Sequence, residues 1–206
     1  MLNVPNQITL SRLVLAVIFF VILSQYSQQQ PNTILLDCCV ALFIFTAATD
    51  FLDGYLARRW GQVTPLGRVL DPLVDKVLIC GTFILLAGPS FVDADGTSAT
   101  CVAPWMVVVI GGRELLVTGL RGFNESVGVP FPASIHGKLK MWVQSIAAPT
   151  VMFIVAHQDT FLKAEVFAWI KIGLVWITVV VTALSMIHYI IHSRHILEGV
   201  DGRTPS

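Results

Sequence analysis

Thr49-Asp50-Phe51-Leu52-Asp53-Gly54-Tyr55-Leu56-Ala57-Arg58 is followed, eight residues on, by Gly67-Arg68-Val69-Leu70-Asp71-Pro72-Leu73-Val74-Asp75-Lys76. Each stretch sets two aspartates into apolar sequence. Asp50 and Asp53 are three apart, and Asp71 and Asp75 are four apart. On a helix each pair shares a face, with Cβ atoms about 5–6 Å apart. An aspartate deep in an apolar helix costs about 2.5–3.5 kcal/mol on insertion scales. Four such carboxylates brought together repel one another unless cations lie between them. Hard divalent ions with oxygen ligands meet that need, and two of them can share such a site. Magnesium or manganese fits the ligand set, whereas zinc, without His or Cys partners, fits it poorly. Gly54 and Ala57 lie on or beside the aspartate face, where a larger side chain would obstruct a ligand. Gly67 reads as preceding the third helix, where backbone could approach a phosphate, and Pro72 as part of that helix's first turn.

Outward from these stretches the chain is apolar in blocks. Spanning a bilayer takes about 20 apolar helical residues. Six stretches approach that length, at about 8–23, 34–56, 69–87, 104–120, 139–155 and 166–191. The expected fold is an all-α integral membrane protein with six transmembrane helices, read as a single membrane-embedded catalytic domain over residues 1–206. Composition agrees: of 206 residues, 55% are hydrophobic and 13% charged, against about 25% charged in soluble domains. A formal net charge of zero gives no reason to expect nucleic acid as a partner. Arg12 ahead of an apolar run resembles a signal peptide, but Ser24-Gln25-Tyr26-Ser27-Gln28 offers no small-x-small cleavage site, so a retained helix is expected.

Lysine and arginine placement orients the helices. The connections at 24–32, 88–103 and 156–163 carry only Lys163, while Arg12, Arg58, Arg59, Arg68, Arg121, Lys138, Lys140, Arg194 and Arg203 fall on the other side. Both termini, and the aspartates with them, are therefore expected at the cytoplasmic face of a plasma (inner) membrane.

The spacing Asp-x2-Asp-Gly-x2-Ala-Arg-x8-Gly-x3-Asp-x3-Asp, complete from Asp50 to Asp75, resembles the signature of the CDP-alcohol phosphotransferases. The resemblance implies six transmembrane helices, a homodimer, and two divalent cations (Mg2+ or Mn2+) held by Asp50, Asp53, Asp71 and Asp75. It implies that Asp75 also takes the proton of an incoming hydroxyl, and that Gly54, Ala57, Arg58 and Gly67 line the CDP site. In such chemistry an alcohol attacks the lipid-bearing phosphorus of a CDP-linked lipid and CMP leaves.

Three further segments resemble the bacterial phosphatidylglycerophosphate synthases within that family: 3–12, 112–121 and 137–140. That subgroup implies CDP-diacylglycerol and sn-glycerol 3-phosphate as substrates. Met141 and the long 88–103 connection depart from the subgroup pattern. An anionic acceptor requires cations, and Arg113, Arg121, Lys138 and Lys140 supply them on the expected cytoplasmic side. Arg113 lies within an apolar helix, where an unpaired guanidinium is expensive; Arg121 is eight residues on, close to the same face. Arg holds phosphate bidentately and Lys as a point charge. Adjacent Glu114 is expected to point away from Arg113 and to form a structural salt bridge of its own. Family relatives using an inositol phosphate, phosphatidylglycerol or serine remain open from the residues alone. In a different class, intramembrane acids could mark a divalent-metal transporter, which would place them near the bilayer centre and not at one edge.

Other features read as structural. Cys38, Cys39, Cys80 and Cys101 form no ligand or disulfide pattern. Asp93-Ala94-Asp95-Gly96 lacks the remaining ligands of a calcium loop and reads as a turn. The five histidines show no ligand spacing, and Trp60, Trp105, Trp142, Trp169 and Tyr189 read as interfacial anchors.

Overall fold

The computed structural model describes the backbone of residues 4–60, 65–126, 135–158 and 164–201, and side chains within 9–49, 73–126, 137–158 and 165–191 except Glu125 and Lys138. It holds six α-helices: α1 Val4–Ser24, α2 Thr33–Trp60, α3 Pro65–Leu86, α4 Pro104–Ser126, α5 Ile135–Ala156 and α6 Ala164–Asp201. Among the described residues there is no strand, only an isolated bridge between Val92 and Ser98.

The helices close into a ring. Going round it, α1 packs on α2, α2 on α5, α5 on α6, α6 on α4, α4 on α3 and α3 back on α1, with α3 also touching α5 across the middle. Phe19, Phe43, Phe83, Leu23, Leu36, Leu86 and Met152 fill the core with no measurable exposure. Ala147 and Ala148 on α5 are equally buried, and such small residues let helix backbones approach closely. Pro149 follows inside α5; neighbouring helices make a missing hydrogen bond tolerable in apolar surroundings. Buried threonines satisfy themselves: the hydroxyls of Thr46, Thr82, Thr178 and Thr182 each donate to the carbonyl four residues back at 2.6–2.8 Å.

The outer surface carries exposed apolar side chains on every helix. Val17, Ile34, Ile84, Val108, Ile146 and Trp169, one from each helix, are all exposed, a pattern that a water-soluble bundle avoids. Two segments, Leu139–Ala156 and Glu165–Ile191, are long and apolar enough to cross a membrane; Thr9–Ser24 and Thr33–Thr49 are shorter apolar helices.

Comparing helix ends with the apolar stretches separates the two ends of the bundle. At the end with the 24–32, 88–103 and 156–163 connections, helices and apolar runs stop within two residues of each other. At the opposite end the helices run on, by four residues in α1, α2, α3 and α5, six in α4 and ten in α6. This overhang corrects two expectations. Because α3 begins at Pro65, Gly67 sits in its first turn and Pro72 in its interior. Proline is pre-set for the first helical position, where its missing N–H would have had no intrahelical partner, and that start signal lies outside the apolar run.

Candidate active site

The overhanging end carries the aspartates. Asp50, Asp53, Gly54, Ala57 and Arg58 lie on the last turns of α2, and Gly67, Asp71 and Asp75 on the first turns of α3. Both pairs therefore sit on continuous helix, as a shared face requires. The side chains of Asp50, Asp53, Ala57, Arg58, Asp71 and Lys138, and the surroundings of Gly54 and Gly67, lie outside the described residues. Asp75 is half-buried and engaged with a neighbour. No group of three metal-binding side chains occurs among the described residues, which include only one of the four aspartates. The donor set itself, carboxylate oxygens alone, suits hard divalent ions.

A buried ionic centre lies at the same end. Arg113 and Glu114 on α4 and Lys140 on α5 are each at most 6% exposed. Glu114 Oε1 accepts from Arg113 Nη1 at 3.1 Å and from Lys140 Nζ at 2.5 Å. Arg113 Nη2 donates to Ser185 Oγ at 2.9 Å, and the guanidinium stands 5.3 Å from the centre of the Tyr189 ring. Arg113 Nε has no hydrogen-bond partner among the described residues. Among the described residues two cations thus share one carboxylate, an excess of one positive charge.

Three expectations are corrected here. Glu114 does partner Arg113: neighbouring helix positions diverge, but the long arginine side chain folds back onto the carboxylate. Tyr189 is not an interfacial anchor; it is 3% exposed and packs beneath Arg113. Arg121 does not share the environment of Arg113, being exposed where Arg113 is buried, because eight residues leave about 80° of helical rotation between them.

Further groups that the sequence did not single out line this end. Lys76 Nζ donates to Thr118 Oγ1 across the α3–α4 contact at 2.6 Å, and the Thr118 hydroxyl donates to Glu114 O at 2.6 Å. Gln144 on α5 donates to Thr182 on α6 at 3.2 Å with its own Oε1 unpartnered among the described residues. Arg12, to which the sequence reading gave no site role, is 1% exposed. The one advance signal for these was a charged or amide group inside an apolar run; their partners are set by tertiary packing.

At the opposite end the 88–103 connection is ordered. Pro89–Phe91 forms a 3-10 turn, and Asp93–Gly96 is a turn, closed by Gly96 N donating to Asp93 O at 3.0 Å with Gly96 at φ +78°.

A family model described as CDP-alcohol phosphatidyltransferase matches residues 2–192. Curated relatives named CDP-diacylglycerol–glycerol-3-phosphate 3-phosphatidyltransferase are similar along most of their length. The protein from Bacillus subtilis (strain 168) is 35% identical over 90% of this chain and 92% of its own. The one from Sodalis glossinidius (strain morsitans) is 30% identical over 94% and 96%. The one from Rickettsia bellii (strain RML369-C) is 34% identical over 85% and 91%.

Proposed function

The chain belongs to the CDP-alcohol phosphatidyltransferase family, and from that premise we propose that it transfers the phosphatidyl group of CDP-diacylglycerol to sn-glycerol 3-phosphate, giving phosphatidylglycerophosphate and CMP. The observation that carries a phosphorylated acceptor is the ionic centre, and the similarity to relatives named for glycerol 3-phosphate supports that choice among phosphorylated acceptors. One carboxylate for two buried cations leaves an excess of positive charge at the end of the bundle that bears the aspartates. An uncharged acceptor has no use for it; a phosphorylated one needs it.

In this reading the acceptor phosphate is held by Arg113, Arg121, Lys138 and Lys140, with the unpartnered Nε–H of Arg113 as one donor. Gly54, Ala57, Arg58 and Gly67 line the CDP site. Asp50, Asp53, Asp71 and Asp75 would hold divalent cations, two Mg2+ or Mn2+, which would supply neutralisation of the pyrophosphate and of the charge developing on its oxygens. Asp75 takes the proton of the acceptor hydroxyl. That oxygen then bonds to the lipid-bearing phosphorus, the bond from this phosphorus to the bridging oxygen breaks, and CMP departs with the electron pair.

The single domain is a multi-pass protein of the plasma (inner) membrane, with six spans and both termini cytoplasmic. Apolar exposure on every helix supports this. So does the one-sided overhang, which carries helix ends past the apolar layer to meet water. α6 alone, at 38 residues, is roughly 57 Å long against about 30 Å of hydrocarbon. The site then opens to the cytoplasm, where a water-soluble acceptor arrives while the lipid substrate stays in its leaflet. The chain works as a homodimer.

The test is CMP release by purified protein with CDP-diacylglycerol and magnesium, across glycerol 3-phosphate, inositol phosphate, serine and phosphatidylglycerol. Release with glycerol 3-phosphate alone is expected. Preference for another acceptor would keep the aspartate chemistry and overturn the acceptor assignment.

A further inference from the structure

Arg113 and Lys140 form the deep floor of the basic cluster. Both are committed to Glu114, and the guanidinium is further fixed by Ser185 and Tyr189. A phosphate arriving from water meets the shallower cations first. Lys76 is one of these: it is half-buried and immediately follows Asp75. It reaches from α3 to α4, where Thr118 fixes its ammonium. The Thr118 hydroxyl spends its own proton on Glu114 O, so it accepts from Lys76 and is itself held still. A lysine ammonium has three donors, and Thr118 uses one. The charges of Glu114, Arg121, Lys140 and Asp75 all act on Lys76, so it neighbours both Asp75 and the basic cluster.

We propose that Lys76 binds the acceptor phosphate directly, together with Arg121, and so sets the distance between that phosphate and Asp75. This rests on the phosphatidyl-transfer reading above and adds to it a specificity-determining residue. The short glycerol chain between phosphate and attacking hydroxyl demands a cation close to the proton acceptor, and Lys76 is next to it in the chain. A lysine that only tied α3 to α4 would influence stability and turnover without distinguishing the two substrates.

Lys76→Met, Lys76→Arg and Thr118→Val would be compared with wild type in the full-length purified protein. The readouts are apparent KM for glycerol 3-phosphate, apparent KM for CDP-diacylglycerol, and inhibition by inorganic phosphate. Losing a charge-assisted contact predicts an acceptor KM about tenfold or more higher in Lys76→Met, an unchanged CDP-diacylglycerol KM, and weaker inhibition by phosphate. Lys76→Arg keeps the cation and is expected to recover most of the acceptor affinity; Thr118→Val shifts the acceptor KM in the same direction by less. Equal changes in both KM values, or a fall in kcat with both unchanged, would overturn the assignment. If Lys76→Met fails to fold, Thr118→Val decides: a raised acceptor KM with weaker phosphate inhibition and an unchanged CDP-diacylglycerol KM supports the contact, and unaltered values overturn it. Wild-type protein that releases no CMP with glycerol 3-phosphate would overturn the underlying reaction, a result distinct from active wild type with an unaffected Lys76→Met.

Discussion

The two ends of the bundle handle buried polar groups in opposite ways. At the capped end each group is answered by a neighbour. Tyr26 donates to Gln28 at 2.8 Å and stacks on Phe91 at 4.7 Å; Gln28 N donates to Ser90 O at 2.8 Å; Thr100 donates to Leu86 O at 2.7 Å. Lys171, 8% exposed, donates to Ala99 O. These bonds tie the 88–103 connection over the helix ends and close them. At the overhanging end, cations outnumber the carboxylate between them, and Arg113 Nε and Gln144 Oε1 are buried without partners among the described residues. Buried polar atoms left unpaired cost stability, and sites built to receive a charged ligand are where such a cost persists. The first end is finished by its own chain; the second, in the proposed reading, would be completed by substrate.

The largest expected effect that sharpens this contrast is at Asp75. Asp75→Asn removes the proposed proton acceptor and a cation ligand together. CMP release should fall by roughly 10^2–10^4-fold, measured by steady-state assay at saturating glycerol 3-phosphate.

Next is Glu114→Gln, which leaves Arg113 and Lys140 facing each other without an anion. Breaking a buried ion network by removing one partner costs about 3–5 kcal/mol, so thermal unfolding in detergent should show a large fall in Tm. A small fall would mean that the cluster is more hydrated than its burial implies.

At the capped end the expected effects are smaller and confined to stability. Thr100→Val deletes the hydroxyl that donates to Leu86 O, accepts from Val102 N and meets Ser98 Oγ, each bond worth about 0.5–1.5 kcal/mol. Tm should drop slightly with both KM values unchanged. A changed acceptor KM would break the contrast, since it would couple the cap to the site.

What could be seen in the sequence follows the same division. The six helices were legible because apolar runs mark where a helix meets lipid, and at the capped end those runs stop where the helices do. At the other end the helices continue into polar sequence, so hydropathy stopped short, and Pro65, the true start of α3, lay outside its reach. The aspartate pairs were legible because spacing of three and four is a local property of one helix. The Glu114 bridge was not: it joins α4 to α5 across 26 residues of chain, and Lys76–Thr118 and Arg113–Ser185 likewise link separate helices. Tyr189 shows the limit from the other side. Its position near a helix end suggested an anchor, and only packing shows the ring beneath a guanidinium.

The most direct test pairs two buried lysines, one from each end. Lys140→Gln and Lys171→Gln both remove a cation that is less than a tenth exposed, so their effects on stability should be comparable. Their apparent KM values for glycerol 3-phosphate, measured side by side at saturating CDP-diacylglycerol, should not be. Lys140→Gln is expected to raise the acceptor KM about tenfold, and Lys171→Gln to leave it unchanged. Equal acceptor KM values in the two variants would contradict the assignment of the acceptor site to the overhanging end.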